Sequence, residues 1–303
     1  MSAVQSHAAL RYRREMRLRL PAVTLLLAAC SAGTGAVTTP TTTPGATSPT
    51  VAVGLGQSPP GTAAIVVAVP DGDSLAVRIG AAADEVRLLG INAPEPGECH
   101  ADESRDRLGE AVGTDVVIVV SGNDTRDQYG RLLAYVYQGS RNLNQWLVAE
   151  GMAIAVAAAH PLRPEFLAAD EDAWSRGVGM WARGVCRPAA DPGIFFFDLE
   201  FDAPGRDDEN PNGEFVVLGN SGAPVAIAGW ILRDESSLHR FEFPVGTNLA
   251  TGEFLIVRSG CGADATDELH WCASGSVWNN AGDTAMLIDN NGAIVARWRY
   301  LGH

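Results

Sequence analysis

The sequence predicts an α+β protein: a small five-stranded barrel with packed helices, followed by an all-β, immunoglobulin-like sandwich. Three observations lead there. Strand-like and helix-like runs mix between residues 63 and 188. From residue 193 to residue 303 only short strand-like runs remain. Before both, residues 31–62 contain no charge and are dominated by Thr, Pro, Gly, Ser and Ala. Such a stretch buries too little apolar surface to offset its ordering entropy, so it reads as a tether. A chain of 303 residues has room for two modest domains beyond it.

In the first unit, Ile65–Val69, Leu75–Ile79 and Glu85–Ile91 are β-rich runs separated by an Asp-Gly-Asp turn and an Ala-rich turn. Asp102–Val112 reads as a helix, followed by strands Val116–Val120 and Leu132–Tyr137. Asn142–Glu150 places Leu143, Trp146 and Leu147 on one helical face, with Gly151 as its stop. Pro164–Arg176 has Pro in its first turn and ends at Gly177, as a helix should. This order suits an OB-fold barrel. In the second unit the expected strands are Glu214–Leu218, Val225–Leu232, His239–Phe243, Phe254–Arg258, Thr284–Ile288 and Ala293–Tyr300. Asp289-Asn290-Asn291-Gly292 joins the last two as a hairpin. Evenly spaced short strands of this kind make a sandwich.

Charge and cysteine usage bound the function. All 22 basic residues are Arg, and beyond residue 30 there are 17 Arg against 35 acidic residues. A surface that acidic excludes a general nucleic-acid coat, because non-specific binding neutralises phosphates. Arg11, Arg13, Arg14, Arg17 and Arg19 precede the apolar run Leu20–Ala29. A basic head and a short apolar core read as an export signal over residues 1–30. Leu27-Ala28-Ala29-Cys30 resembles a bacterial lipobox, so lipidation of Cys30 and a membrane anchor are expected, with plain secretion as the alternative. The other four cysteines form an even set suited to an oxidising compartment. They allow three pairings; Cys99–Cys186 with Cys261–Cys272 keeps each bond inside one unit.

Three segments of the first unit carry chemistry together: Asp71-Gly72-Asp73-Ser74, Arg87-Leu88-Leu89-Gly90-Ile91-Asn92-Ala93-Pro94-Glu95, and Asp127-Gln128-Tyr129-Gly130-Arg131. Phosphodiester hydrolysis needs a hard cation on a non-bridging oxygen, a carboxylate to take a proton from water, and guanidinium groups to brace the developing charge. In this order the segments resemble the staphylococcal-nuclease (thermonuclease) family over residues 63–188. The resemblance implies that Asp73 is the metal carboxylate, Glu95 the general base, and Arg87 and Arg131 the phosphate clamps. It further implies that Asn92 and the Ala93 carbonyl complete a Ca2+ site and that Tyr129 contacts a substrate phosphate. There are two departures. Asn92 stands where the archetype has a second carboxylate, and Val156-Ala157-Ala158-Ala159 stands where it stacks aromatic residues on the base.

The second unit resembles a bacterial lamin-tail domain over residues 193–303. Phe201-Asp202-Ala203-Pro204-Gly205, Ala228-Gly229-Trp230-Ile231-Leu232 and Ser276-Val277-Trp278-Asn279-Asn280 carry that resemblance. It implies an accessory module without a catalytic site of its own. The acidic loop Arg206–Asn210 reads as a solvated turn. The sequence thus leads to an exported, Ca2+-dependent nuclease acting on DNA, with RNA left open, and expected to be a monomer. The alternative is a catalytically weak or silent envelope-attached protein that binds nucleic acid or mediates adhesion.

Overall fold

The structure is a computed structural model that describes residues 59–121, 125–206, 209–236 and 238–302. The expected signal with Cys30 and the tether up to residue 58 lie outside the described residues, as do Asp207 and Asp208 of the acidic loop.

Strands β1 (Thr62–Asp71), β2 (Ser74–Ile79) and β3 (Ala82–Leu88) form an antiparallel meander. A two-residue strand β4 (Ile91–Asn92) and helix α1 (Ala101–Val112) follow. Strand β5 (Asp115–Val120) returns beside β1, and β6 (Leu132–Gln138) pairs with it. The parallel pairing of β6 with β3 then closes a five-stranded barrel. Alternation explains the core: Leu75, Val77, Val86, Leu88, Val116 and Ile118 point inward, where Leu108, Leu147 and Phe166 of the helices meet them.

Short strand β7 (Arg141–Asn142) leads into helix α2 (Leu143–Ala149), whose start is fixed by the Asn142 side chain accepting from the Gln145 N–H. Asn144 on this helix is fully buried. It accepts from the Val136 N–H and donates to the Leu89 and Ala134 carbonyls, so one amide joins α2, β6 and the turn after β3. Strand β8 (Ile154–Ala155) pairs with β4, and helix α3 (Arg163–Arg176) ends at Gly177, whose φ of 64° suits a residue without a Cβ.

The second unit has two four-stranded sheets. One contains β9 (Ile194–Glu200), β10 (Phe215–Asn220), β15 (Phe254–Arg258) and β16 (Glu268–His270), in the order β16-β15-β10-β9. The other contains β12 (Ile231–Arg233), β13 (Arg240–Glu242), β17 (Gly282–Ile288) and β18 (Ile294–Leu301), in the order β13-β12-β17-β18. A small pair, β11 (Val225–Ala226) with β14 (Asn248–Leu249), stands beside them. Phe196, Val216, Leu218, Leu232, Leu255, Trp278 and Leu287 fill the interior.

Three expectations need correction. The run Val225–Leu232 is two strands, because Gly229 at φ 78° and the Trp230 N–H bonded to the Ile227 carbonyl turn the chain between β11 and β12. Strand β9 was not expected, since three consecutive Phe residues mask the alternation that buries Phe196 and leaves Phe195 outward. Strand β16, three residues long and parallel to β15, gave no local signal. The cysteines are linked as Cys99–Cys186 and Cys261–Cys272.

Both domains belong to one compact unit, and they share a core. Ile154, Ala173, Met180, Trp181 and Cys186 pack with Met286, Ile288 and Ile294 of the sandwich. Beside this cluster, Asp170 of α3 is 0% exposed and pairs with both Arg297 and Arg299 of β18. The Arg297 guanidinium also lies 4.2 Å from the Trp174 ring centroid and 5.0 Å from that of Trp181. Removing the carboxylate strips Arg299 of its ion pair and leaves the buried Arg297 only the exposed Glu171. Asp170→Ala is therefore expected to cost about 3–5 kcal/mol in urea denaturation, whereas Asp172→Ala, which breaks an exposed pair with Arg176, costs less than about 1 kcal/mol.

Candidate nuclease site

The turn between β1 and β2 sets the first element of the site. The Asp73 N–H donates to Asp71 Oδ1 at 3.1 Å, and Gly72 permits the turn to pack closely, since a Cβ there would lie 2.7 Å from those of Ala93 and Ser104. Asp73 is 7% exposed. Its Oδ2 accepts the Ala93 N–H at 2.7 Å and faces an Arg87 terminal nitrogen at 3.0 Å, while Oδ1 accepts from the Ser74 hydroxyl at 3.3 Å. Burial pushes the Asp73 carboxyl up to about 6, against the pull of Arg87 and aided by Asp71.

Barrel closure brings the two arginines to this carboxylate. Ser74 is the cross-strand partner of Arg87 in the β2–β3 register, and the parallel β3–β6 register begins with Val86 opposite Leu132, next to Arg131. Arg87 donates to the Leu88 and Ile91 carbonyls at 2.9 and 2.8 Å and to the Asn92 side-chain oxygen. Arg131 is held by Asp127 Oδ2 at 2.7 Å and reaches the Ser74 hydroxyl at 3.3 Å. Its other terminal nitrogen has no partner among the described residues. Tyr129 is 70% exposed, with the Arg131 guanidinium 5.5 Å from its ring centroid. Asp73, Arg87, Asn92 and Arg131 thus form one connected network through Ser74. Glu95 stands apart from it, exposed on the loop after β4, and borders a cavity of about 620 Å³.

The donor set suits a hard cation in kind. A carboxylate at Asp73, an amide oxygen at Asn92 and the Ala93 carbonyl are all oxygen ligands, and Asp73 is a buried carboxylate paired with Arg87. In number the set is sparse: among the described residues no three His, Cys, Asp or Glu side chains gather as a metal cluster. Arg87 also bonds the oxygens of both Asp73 and Asn92. These residues fit a weakly held ion rather than a tight one.

Several residues at the site were not foreseen, and most of them come from the sandwich. The Glu235 carbonyl accepts from Asn92 Nδ2 at 2.8 Å, and the Glu235 carboxylate accepts the Ala157 N–H at 3.0 Å. Burial, and next the Asp283 charge, push that carboxyl up to about 8. Arg233 and Arg240 pair with Glu98 beside Glu95. In the Val156–Ala159 run, which lacks the archetype's stacking aromatic residues, Ala157 is buried against the sandwich, where a Cβ on Gly282 would lie 2.7 Å from its carbonyl, while Ala159 is exposed. Nothing in Arg233-Asp234-Glu235 distinguishes it in sequence from a solvated turn.

A family model described as staphylococcal nuclease homologue matches residues 85–183. A micrococcal nuclease of Shigella flexneri is 30% identical over 127 residues, covering 39% of this chain and 72% of that protein. The chain belongs to the staphylococcal nuclease homologue family. An uncharacterized endonuclease of Haemophilus influenzae is 35% identical over 118 residues, covering 39% of this family member and 65% of the relative. The SPbeta prophage-derived endonuclease YokF of Bacillus subtilis is 30% identical over 123 residues, covering 37% and 42%. The chain thus spans between about two fifths and two thirds of the length of these last two relatives. A Lamin Tail Domain model matches residues 189–302 of this staphylococcal nuclease homologue.

His160 supports the back of the site. Its Nδ1 is 2.8 Å from the Tyr135 hydroxyl, and its ring lies against Gly90, where a Cβ would come within 2.5 Å of it. Burial, reinforced by the Arg163 charge, pushes the imidazole down to about 4. Between about pH 6.5 and 4 the unfolded chain therefore binds a proton that the folded chain refuses, so stability present above 6.5 is lost as pH falls through that window. The stability advantage of the wild type over His160→Gln is expected to shrink steadily from pH 7 to pH 4 in paired denaturation curves.

Proposed function

We propose that the protein is an exported Ca2+-dependent nuclease that hydrolyses the phosphodiester bonds of DNA, with RNA as a second substrate. The observation that carries this reading is the Arg87–Asp73–Ser74–Arg131 network, with a free carboxylate, Glu95, on the adjoining loop. Arg131 has a nitrogen to spare, and Asp127 fixes its direction, so it suits bidentate bracing of a phosphate as charge develops. Arg87 braces the same centre from the Asp73 side. Tyr129, exposed beside Arg131, is placed to donate its hydroxyl to a neighbouring phosphate. Glu95, exposed and carrying no partner on its carboxylate among the described residues, takes the proton of the attacking water. Asp73, the Asn92 amide oxygen and the Ala93 carbonyl would hold Ca2+, which when bound neutralises and orients a non-bridging phosphate oxygen. Relatives named endonuclease and micrococcal nuclease support the substrate class. Two disulfides support export, since such bonds persist in oxidising compartments. We propose a lipid anchor at Cys30 and a monomeric state on the sequence alone.

The test incubates the purified protein with plasmid, single-stranded DNA and RNA, with Ca2+ or chelator. Cleavage that chelation abolishes is expected. Glu95→Gln and Arg131→Ala should each lower turnover by at least ~10²-fold with native circular dichroism. Near wild-type rates in Glu95→Gln would remove this site from consideration. An amide contributes a dipole where a carboxylate contributes a charge, so Asn92→Asp is expected to lower the Ca2+ concentration that gives half-maximal activity. Coincident activation midpoints would show that residue 92 is not a ligand.

A further inference from the structure

We propose that the lamin-tail domain is a working part of the nuclease site: Arg240 and Arg233 position the Glu95 loop, and Glu235 positions Asn92 and, through it, Arg87. The inference rests on the roles proposed above for Glu95 and Arg87.

Two hydrogen-bonded chains cross from the sandwich to the barrel. In the first, Arg240 donates to Glu98 Oε1 at 2.7 Å, and Arg233 lies 3.7 Å from Glu98 Oε2. That same Oε2 accepts the Glu95 N–H at 3.1 Å, while the Glu98 N–H donates to the Glu95 carbonyl at 2.8 Å. Burial alone would raise the Glu98 carboxyl, but the charges and hydrogen bond of the two arginines hold it below the usual carboxylate value. It is therefore a fixed anion between two domains. In the second chain the Glu235 carbonyl accepts from Asn92 Nδ2, and the Asn92 oxygen accepts from Arg87, which faces Asp73. With its nitrogen directed at Glu235, the Asn92 amide must turn its oxygen toward Arg87.

The loop needs this support because packing does not supply it. Pro94, Glu95, Gly97 and Glu98 border the 620 Å³ cavity, so no close-packed core lies against that side. Pro96 and Gly97 are exposed. What holds the Glu95 backbone is thus the Glu98 carboxylate, and what holds that carboxylate, beside the Cys99–Cys186 disulfide that anchors the next residue, is a pair of arginines from the other domain. Arg233 is buried with an unpartnered Nε. A buried cation with a missing hydrogen bond is costly, and the placement of its charge against Glu98 is the compensation the structure shows.

The test compares the full wild-type chain with Arg240→Ala, Glu98→Gln and Arg240→Lys. Arg176→Ala, which breaks an exposed pair on α3, serves as the control. Two readouts are taken: kcat and KM on single-stranded DNA, and hydrogen exchange of the amides at residues 92–98. A misdirected catalytic group lowers turnover more than binding. Arg240→Ala and Glu98→Gln are each expected to lower kcat by ~10-fold with KM within ~2-fold of wild type, and to speed exchange at the Glu95 amide by ~10-fold. Arg240→Lys, which keeps the charge, should recover most of both, and Arg176→Ala should change neither. Unchanged kcat in Arg240→Ala overturns the proposal, whether or not exchange quickens. A rise in KM at unchanged kcat would make Arg240 a substrate contact and overturn it too. If the wild type cleaves no nucleic acid, the nuclease reading fails, and exchange alone decides whether the domains are coupled at this loop.

Discussion

One guanidinium organises the site. Arg87 has donors enough to hold the two carbonyls that bracket the turn after β3, the buried carboxylate of Asp73 and the side chain of Asn92 at once. A lysine has neither the planar fork nor the number of donors to do this. Because Arg87 sits at the end of a strand that closes the barrel, its position is set by the same pairing that brings Arg131 to Ser74. Fold and site therefore share a single geometric condition: strand β3 must lie between β2 and β6 in the observed register. A one-residue slip would turn Arg87 to the other face.

The second constraint is the contact between the domains. An accessory module would be expected to present its own polar surface to its neighbour and to meet it through a loose contact. Here the apolar residues of β17 and β18 complete a core begun by β8, α3 and the turn that follows it. Buried charge accompanies that core in the form of Asp170 with Arg297 and Arg299, and of Glu235 against Ala157. Such pairs contribute little net stability compared with apolar replacements, but they penalise every arrangement in which a partner is missing. They make the relative placement of the domains specific, and the site lies at that boundary.

Much of this was legible in the sequence, for reasons that differ by element. Leu75 and Val77 alternate, Pro164 and Gly177 punctuate a helix, and Asp289–Gly292 has hairpin chemistry; each is a local signal, and each element lies where it was expected within a few residues. Asp73, Arg87, Asn92 and Arg131 were legible because three short motifs carry them, and the barrel brings these four together. The contribution of the sandwich was not legible. Asp170, Arg297, Glu235 and Arg240 are charged residues in charged neighbourhoods, which on base chemistry belong in water. Their partners lie more than 70 residues away in the chain. The broken strand at Gly229 and the unexpected β9 are smaller failures of the same kind, since the path of the chain there is decided by which sheet each residue must cover.

The segment joining the two domains, Ala189–Asp191, is exposed, and neither disulfide spans it. The halves are thus connected by peptide at one point and by a buried surface everywhere else. A protease that cut the connector would not release the sandwich from the barrel. The product would be a nicked, two-chain protein, held by the common core and by Asp170, with Glu98 still between its arginines. The covalent link then matters most before folding, when it keeps the two faces at high effective concentration until they meet. Domain shuffling faces the converse difficulty. Either half moved alone to a new neighbour would carry an uncovered apolar face and stranded charges.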